Sequence, residues 1–370
     1  MKSKTFVRNL LAKADIQING NRPWDISVSD ERLYNRVVSK GSLGLGEAYM
    51  DGWWDSQKLD EFFFRSIRSG LHRKIEYNLI SLQVLITSKI FNLQTRRGSK
   101  QIAEQHYDLG NDLYMSFLDP YNQYTCGYFK DTDDLNIAQE NKMELICKKL
   151  ELKPGDRVLD IGCGWGGLAK YIAEHYKCRV TGISISDEQI EFARDYTKGL
   201  DVEILKLDYR DLTGTFDKIV SVGMFEHVGP KNYRTILKIV ERCLVQDGLF
   251  LLHCIGDTES NTIPDAWMTK YIFPNSKTPT AKQITEAAEG LFVLEDLHNF
   301  SAYYDPTLMA WYKNFEKNWP RLKNIYGDRF FRMFKYYLLL CAGSFRARAP
   351  QLFQFVFSKK GILGGYTSIR

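Results

Sequence analysis

An apolar strand that runs into a carboxylate and then into a glycine-rich turn constrains this chain more than any other segment. Residues 158–167 read Val-Leu-Asp-Ile-Gly-Cys-Gly-Trp-Gly-Gly and open a helix expected over 168–176. Gly162, Gly164 and Gly166 let the backbone turn sharply and approach a ligand with no Cβ in the way, which points to a nucleoside cofactor. Gly162, Gly164 and Gly167 also satisfy the dinucleotide fingerprint. Asp160 favours S-adenosylmethionine over NAD. It lies two residues before the first glycine, where a carboxylate receives the ammonium of an amino-acid moiety and would repel a pyrophosphate. The second strand, Arg179-Val-Thr-Gly-Ile-Ser, ends in Ser184 rather than in the acid expected for a ribose 2′-hydroxyl, although a hydroxyl can still bond a ribose. A strand-turn-helix of this kind can also occur with no ligand, since unliganded α/β turns use glycine too.

Around this turn the chain reads as an α/β protein. Strands are expected at Arg157–Ile161, Arg179–Ile183, Val202–Lys206, Lys218–Val222 and Leu249–Cys254, alternating with helical patterns as in a parallel sheet. In an open sheet of this kind a ligand sits beyond the carboxyl ends of the strands. The strand-terminating residues Asp160, Ser184, Asp208, Glu226 and His253 are therefore expected to face one crevice. Residues 1–90 read as a small helical domain carrying Trp53, Trp54, Phe62, Phe63 and Phe64, and 91–104 as a polar, basic linker. Residues 105–370 read as the catalytic domain, with an aromatic, proline-bearing insertion at about 257–282 expected as a lid or a plain surface loop. Two aromatic-rich helices, Thr307–Trp319 and Asp328–Phe345, are expected beside the sheet, where they could line an acyl-chain tunnel or simply form core.

Composition narrows the setting. With 370 residues, 44% of them hydrophobic, the chain can bury a large core. No apolar run approaches the ~20 residues that span a bilayer, and the first residues lack a signal-peptide stretch, so a cytoplasmic location is expected. Seven cysteines without a Cys-x-x-Cys pair argue against a disulfide framework and against structural zinc. A net charge of +5 is too mild to imply nucleic acid. The excess concentrates in Lys89, Arg96, Arg97 and Lys100, after the apolar stretch 75–91. Such charges are worth ~1 kcal/mol each at an anionic leaflet, so this segment reads either as a lipid-facing patch or as a solvated helix end.

Glu226 follows the fourth strand in Val222-Gly-Met-Phe-Glu-His-Val-Gly229, where methyl acceptors sit over a sulfonium. His253 ends the fifth strand, and Cys126 lies in Gln123-Tyr-Thr-Cys-Gly-Tyr-Phe. Singly, a histidine or cysteine of this kind reads as core. In combination with Glu104-Gln-His-Tyr-Asp-Leu-Gly-Asn-Asp112, Gly41-Ser-Leu-Gly-Leu-Gly46 and the run from Asn299 to Tyr312, they carry a resemblance over nearly the whole chain. The sequence resembles the cyclopropane-fatty-acyl-phospholipid synthases and, more widely, the mycolic-acid cyclopropane synthases.

The resemblance implies a class I S-adenosylmethionine-dependent methyltransferase sheet, Rossmann-like, with a small helical N-terminal domain. It also implies that a methylene group is added across a cis double bond of a phospholipid acyl chain in the bilayer. By resemblance, bound bicarbonate serves as the base, held by Cys126, Glu226, His253, the backbone at Ile255, and Tyr304. Tyr124 and Thr125 touch the cofactor, and the turn with Asp160, Gly162, Gly164, Trp165 and Gly166 holds its methionine part. Ser184 and Gln189 lie near the ribose, and Asp208, Tyr209 and Arg210 beside the adenine. Cys341 matches a cysteine once suspected in catalysis, but its apolar setting argues for packing. Cys254 and Tyr303 depart from the residues common in relatives, without touching a proposed role. The resemblance and the two-module layout suggest a homodimer, peripheral at the inner membrane surface. The rival readings are a methyltransferase that stops at a methyl branch or acts on a small molecule, and a non-catalytic lipid-binding protein.

Overall fold

The computed structural model describes residues 2–71, 110–260, 262–274 and 276–370. The basic segment 89–100, the apolar stretch 75–91, the linker and the 104–109 part of the histidine-bearing motif lie outside the described residues.

Seven strands form the main sheet: β1 Arg157–Ile161, β2 Arg179–Ser184, β3 Val202–Lys206, β4 Phe216–Val222, β5 Leu244–Gly256, β6 Val293–Asn299 and β7 Gln351–Ser358. Their spatial order is β3-β2-β1-β4-β5-β7-β6. The first five run parallel, and β7 pairs antiparallel with both β5 and β6. The near-continuous apolar runs of the inner strands suit burial on both faces. Alternate residues of β1 serve opposite cores. Leu159 and Ile161 pack with helix Tyr233–Cys243 through Ile236, Leu237 and Val240. Val158 packs with Met143 and Ile146 of helix Leu135–Lys149 and with Leu168 and Ile172 of helix Gly167–Tyr176. This period-2 alternation places Asp160 in mid-sheet, opposite Gly182 on one side and Val220 on the other.

The chain divides into two units. One takes in Met1–Asn92, Asn261–Pro274 and Tyr304–Pro350; the other takes in Leu93–Ser260, Asn275–Tyr303 and Gln351–Arg370. The expected contiguous division at 1–90 and 105–370 is corrected accordingly: the chain leaves the sheet-bearing unit twice and returns. The two aromatic helices expected beside the sheet belong to the first unit. They form one helical stretch, Tyr304–Arg346, broken at Gly327, whose φ is 76°. Aromatic packing explains their place. The Tyr336 ring lies 5.4 Å from that of Tyr49 and 4.9 Å from that of Phe63, and the guanidinium of Arg346 pairs with Asp60 at 2.7 Å. Gly343 allows the close approach, since a Cβ there would meet the Asp60 carbonyl oxygen at 2.6 Å. The segment expected as a lid is split as well. Trp267, in helix Ala266–Tyr271, packs on Tyr336 at 4.4 Å within the first unit, while in the second the Asp257 N–H donates to the Pro279 carbonyl at 2.9 Å. No described helix is long and apolar enough to cross a membrane.

Candidate active site

A pocket opens at the carboxyl ends of the parallel strands. Its floor is the turn after β1. Gly162, Gly164 and Gly166 all have positive φ (85°, 54° and 81°), a conformation that favours glycine. The turn is also hemmed in: a Cβ on Gly162 would meet Met224 at 2.8 Å, and one on Gly167 would lie 1.7 Å from the Tyr121 carbonyl oxygen. Tyr124, Thr125, Asp160, Gly162, Gly164, Trp165, Ser184, Gln189, Asp208 and Tyr209 line the pocket as the sequence leads one to expect. The Trp165 indole N–H is fixed by Asn111 Oδ1 at 2.8 Å. The Ser184 hydroxyl donates to Gln189 Oε1 at 3.3 Å, and Asp208 holds Arg210 in an ion pair at 2.7 Å. Gly166 and Arg210 do not line the pocket: Gly166 caps helix Gly167–Tyr176, and Arg210 pairs with Asp208.

Asp160 is 2% exposed, and its Oδ2 has no hydrogen-bond partner. Burial pushes its carboxyl up to about 7, against the pull of the Lys142 ammonium. A buried acid with an orphan oxygen, lining a pocket above a glycine turn, fits the ammonium end of an amino-acid-bearing nucleoside.

Glu226 and His253 do not line this pocket, contrary to the expectation that all five strand-terminating residues face one crevice. The pocket takes His227 instead, whose Nδ1 lies 3.0 Å from the Ser276 hydroxyl. Burial holds His227 down at about 4, so it is neutral at physiological pH. The Glu226 side chain turns toward β5, where its Oε1 accepts the Ile255 N–H at 2.6 Å. Thus the Ile255 N–H expected to face an anion is given to Glu226. Glu226 Oε2 is buried without a partner, and burial raises the carboxyl to about 7. His253, two residues before Ile255, is also buried, with Nε2 unpartnered and Nδ1 3.2 Å from Gln354 Nε2 on β7. Desolvation, helped by the Lys142 and Lys149 charges, holds its ring well below the ordinary histidine range.

Cys126 is fully buried, and its thiol donates to the Gly127 carbonyl at 3.2 Å. Tyr304 opens the long helical stretch of the first unit, where its ring stacks on Phe345 at 4.3 Å. Cys341 belongs to the same unit. Burial pushes its thiol up to about 12, which leaves almost no thiolate at neutral pH.

The sequence reading missed Lys142, Gln139 and Gln354, all three fully buried. Gln139 and Lys142 lie one turn apart on helix Leu135–Lys149, and polar residues on the buried face of a helix are a signal that could have found them.

This sheet order, with its acid-glycine turn and the pocket beyond the strand ends, defines a class I S-adenosylmethionine-dependent methyltransferase fold. A family model described as mycolic acid cyclopropane synthetase matches residues 94–355, and the chain belongs to that family. It is 52% identical, over 96% of its length and 93% of the relative's, to the cyclopropane-fatty-acyl-phospholipid synthase of Escherichia coli strain K12. It is 35% identical to a probable fatty acid methyltransferase of Pseudomonas putida, covering 68% of this chain and 67% of that one. Among solved structures, the cyclopropane synthase MmaA2 from Mycobacterium tuberculosis superposes with a TM-score of 0.67 at 28% identity, covering 70% of this chain and 98% of that one. A mycolic acid cyclopropane synthase complexed with SAH and CTAB gives the same values.

Proposed function

We infer that this enzyme converts a cis double bond in the acyl chain of a membrane phospholipid into a cyclopropane ring, with S-adenosylmethionine as donor and bicarbonate as proton acceptor. When bound, S-adenosylmethionine supplies an electrophilic methyl that the alkene's π pair takes from sulfur, and loss of a proton from that methyl closes the ring. Asp160 receives the donor's ammonium, and Ser184 and Gln189 its ribose. Asp208 and Tyr209 would lie beside the adenine, and Tyr124 and Thr125 would touch the donor. His227, neutral at working pH, adds no positive charge to repel the sulfonium.

The observation that carries the acid–base reading is the pair of buried orphan atoms, Glu226 Oε2 and His253 Nε2. An unpaired buried polar atom costs about 1–3 kcal/mol, so two of them fit a small ligand with both donor and acceptor oxygens. Bicarbonate is such a ligand, since its O–H satisfies a carboxylate while its other oxygens accept from an imidazole N–H and from a thiol turned away from the Gly127 carbonyl. Glu226, His253 and Cys126 would hold it, and Ile255 would orient Glu226. Bound there, bicarbonate would supply a base in a site closed to water, which would otherwise trap the carbocation.

Mass spectrometry of acyl chains tests the reading, after incubation with S-adenosylmethionine and unsaturated liposomes, with and without bicarbonate. The expected result is a gain of one CH₂ with loss of the alkene, faster with bicarbonate. A gain with the alkene retained would indicate methyl-branch or methylene chemistry instead, and no gain would remove the lipid acceptor. A cytoplasmic protein peripheral at the inner membrane surface and acting as a homodimer completes the proposal. Sedimentation equilibrium tests the dimer, and a monomer at all concentrations would exclude it.

A further inference from the structure

Lys142 is fully buried, and no role described above uses it. Its ammonium donates to Gln123 Oε1 at 2.5 Å and to Thr125 Oγ1 at 2.8 Å. One turn earlier on the same helix, Gln139 Nε2 donates to the carbonyls of Thr125 at 2.8 Å and Gln123 at 3.4 Å. Two buried side chains thus grip residues 123–125 from behind. Before that strap, the Asp119 carboxylate accepts the N–H groups of Tyr121 and Gln123, both at 2.8 Å. In front, the strap lies against glycines. A Cβ on Gly223 would meet Thr125 Cγ2 at 2.8 Å, and one on Gly167 would meet Gln123 Nε2 at 2.6 Å.

A buried cation is costly unless anions compensate it, yet among the described residues the groups that Lys142 bonds directly are neutral. The acidic groups whose field it feels are Asp119, Cys126 and Asp160, and its own field reaches His253. Asp160 is pushed up by burial, and Lys142 is the charge that opposes the push.

We propose that Lys142 is a positioning residue for the methyl donor. Its ammonium ties the Gln123–Thr125 strap over the pocket, and its charge favours the ionised form of the Asp160 carboxyl that receives the donor's ammonium. The proposal rests on the assignment of S-adenosylmethionine to this pocket. Without Lys142 the Asp160 carboxyl would shift further toward its neutral form, and the strap would lose its anchor.

Calorimetric titration of the purified protein with S-adenosylmethionine across a pH series tests it. Wild-type affinity is expected to rise with an acid-side midpoint near 7, the value of the Asp160 carboxyl, and to fall again as the donor's amino group and Lys142 lose protons. Lys142→Met is expected to weaken binding at neutral pH by about tenfold or more and to raise the acid-side midpoint by roughly one unit. Lys142→Arg is expected to restore the wild-type midpoint. A merely structural lysine would change affinity and leave the midpoint in place, and that result overturns the proposal. If Lys142→Met does not accumulate folded, Lys142→Gln, which keeps an N–H donor for Thr125, is read the same way. Asp160→Asn separates the two levels. Loss of the acid-side midpoint in that variant supports both, whereas unchanged affinity and pH profile would remove the pocket assignment itself.

Discussion

In the proposed reaction Glu226 belongs to the chemistry without touching the donor. Its carboxyl is anchored by the Ile255 N–H at 2.6 Å and lies outside the lining of the donor pocket. Replacing one carboxylate oxygen by an amide nitrogen keeps that anchor but turns the orphan acceptor into a donor. Glu226→Gln is therefore expected to cut ring formation by about 10²-fold or more while S-adenosylmethionine affinity changes by less than about twofold, read by product mass spectrometry beside calorimetry. Parallel losses in both would place Glu226 in the donor pocket. Cys341 is the opposite case. With its thiol near 12 it supplies no nucleophile at neutral pH, so Cys341→Ser is expected to retain near-wild-type turnover. A loss of turnover with the thermal midpoint unchanged would reverse that assignment.

At the scale of elements, the parallel strands β1 to β5 and the turn after β1 were legible because their signals are local: a short apolar run, a carboxylate, and glycines at fixed offsets. β6 and β7 were not. Gln351–Ser358 inserts between β5, which ends at Gly256, and β6, which ends at Asn299, and no local pattern encodes pairings across such separations. The strap at 123–125 was legible as a motif, but its support was not, because Gln139 and Lys142 read as ordinary polar helix residues until the packing buries them. His227 displaced Glu226 from the pocket because the short 3-10 turn Phe225–His227 rotates successive side chains apart, a detail that strand-end counting does not resolve. The strap's tight seat yields a prediction of its own. Gly223 has φ 72°, and a Cβ there would lie 2.8 Å from Thr125 Cγ2. Gly223→Ala combines backbone strain of about 1 kcal/mol with a displaced strap, so donor affinity is expected to fall by about tenfold while the far-ultraviolet spectrum stays unchanged. Unaltered affinity would mean that the strap does not hold the donor.

At the scale of the whole molecule, a buried ion cluster ties together distant parts of the sheet-bearing unit. Lys149 and Asp296 are both buried and paired at 3.0 Å. Asp296 also takes Arg370 at 2.7 Å and the Ser368 hydroxyl at 2.9 Å. The edge strand β6, helix Leu135–Lys149 and the segment ending at Arg370 are thereby joined through a single carboxylate. These cations and donors outweigh burial and hold Asp296 well below the usual carboxylate range. A carboxyl depressed on folding contributes stability that is complete above its unfolded value of about 4 and is lost as pH falls below it. The protein is therefore expected to lose thermal stability progressively below about pH 4, and Asp296→Asn to reduce that acid dependence. Removing one partner from a buried pair leaves the other charge uncompensated, at a cost of roughly 3–5 kcal/mol. For a unit of this size that lowers the thermal midpoint by about 10 °C. Scanning calorimetry of both proteins at neutral and acidic pH reads the two effects together. A variant with the wild-type midpoint at neutral pH would show that the cluster is a passive consequence of the fold, and an unchanged acid slope would place the titrating groups elsewhere.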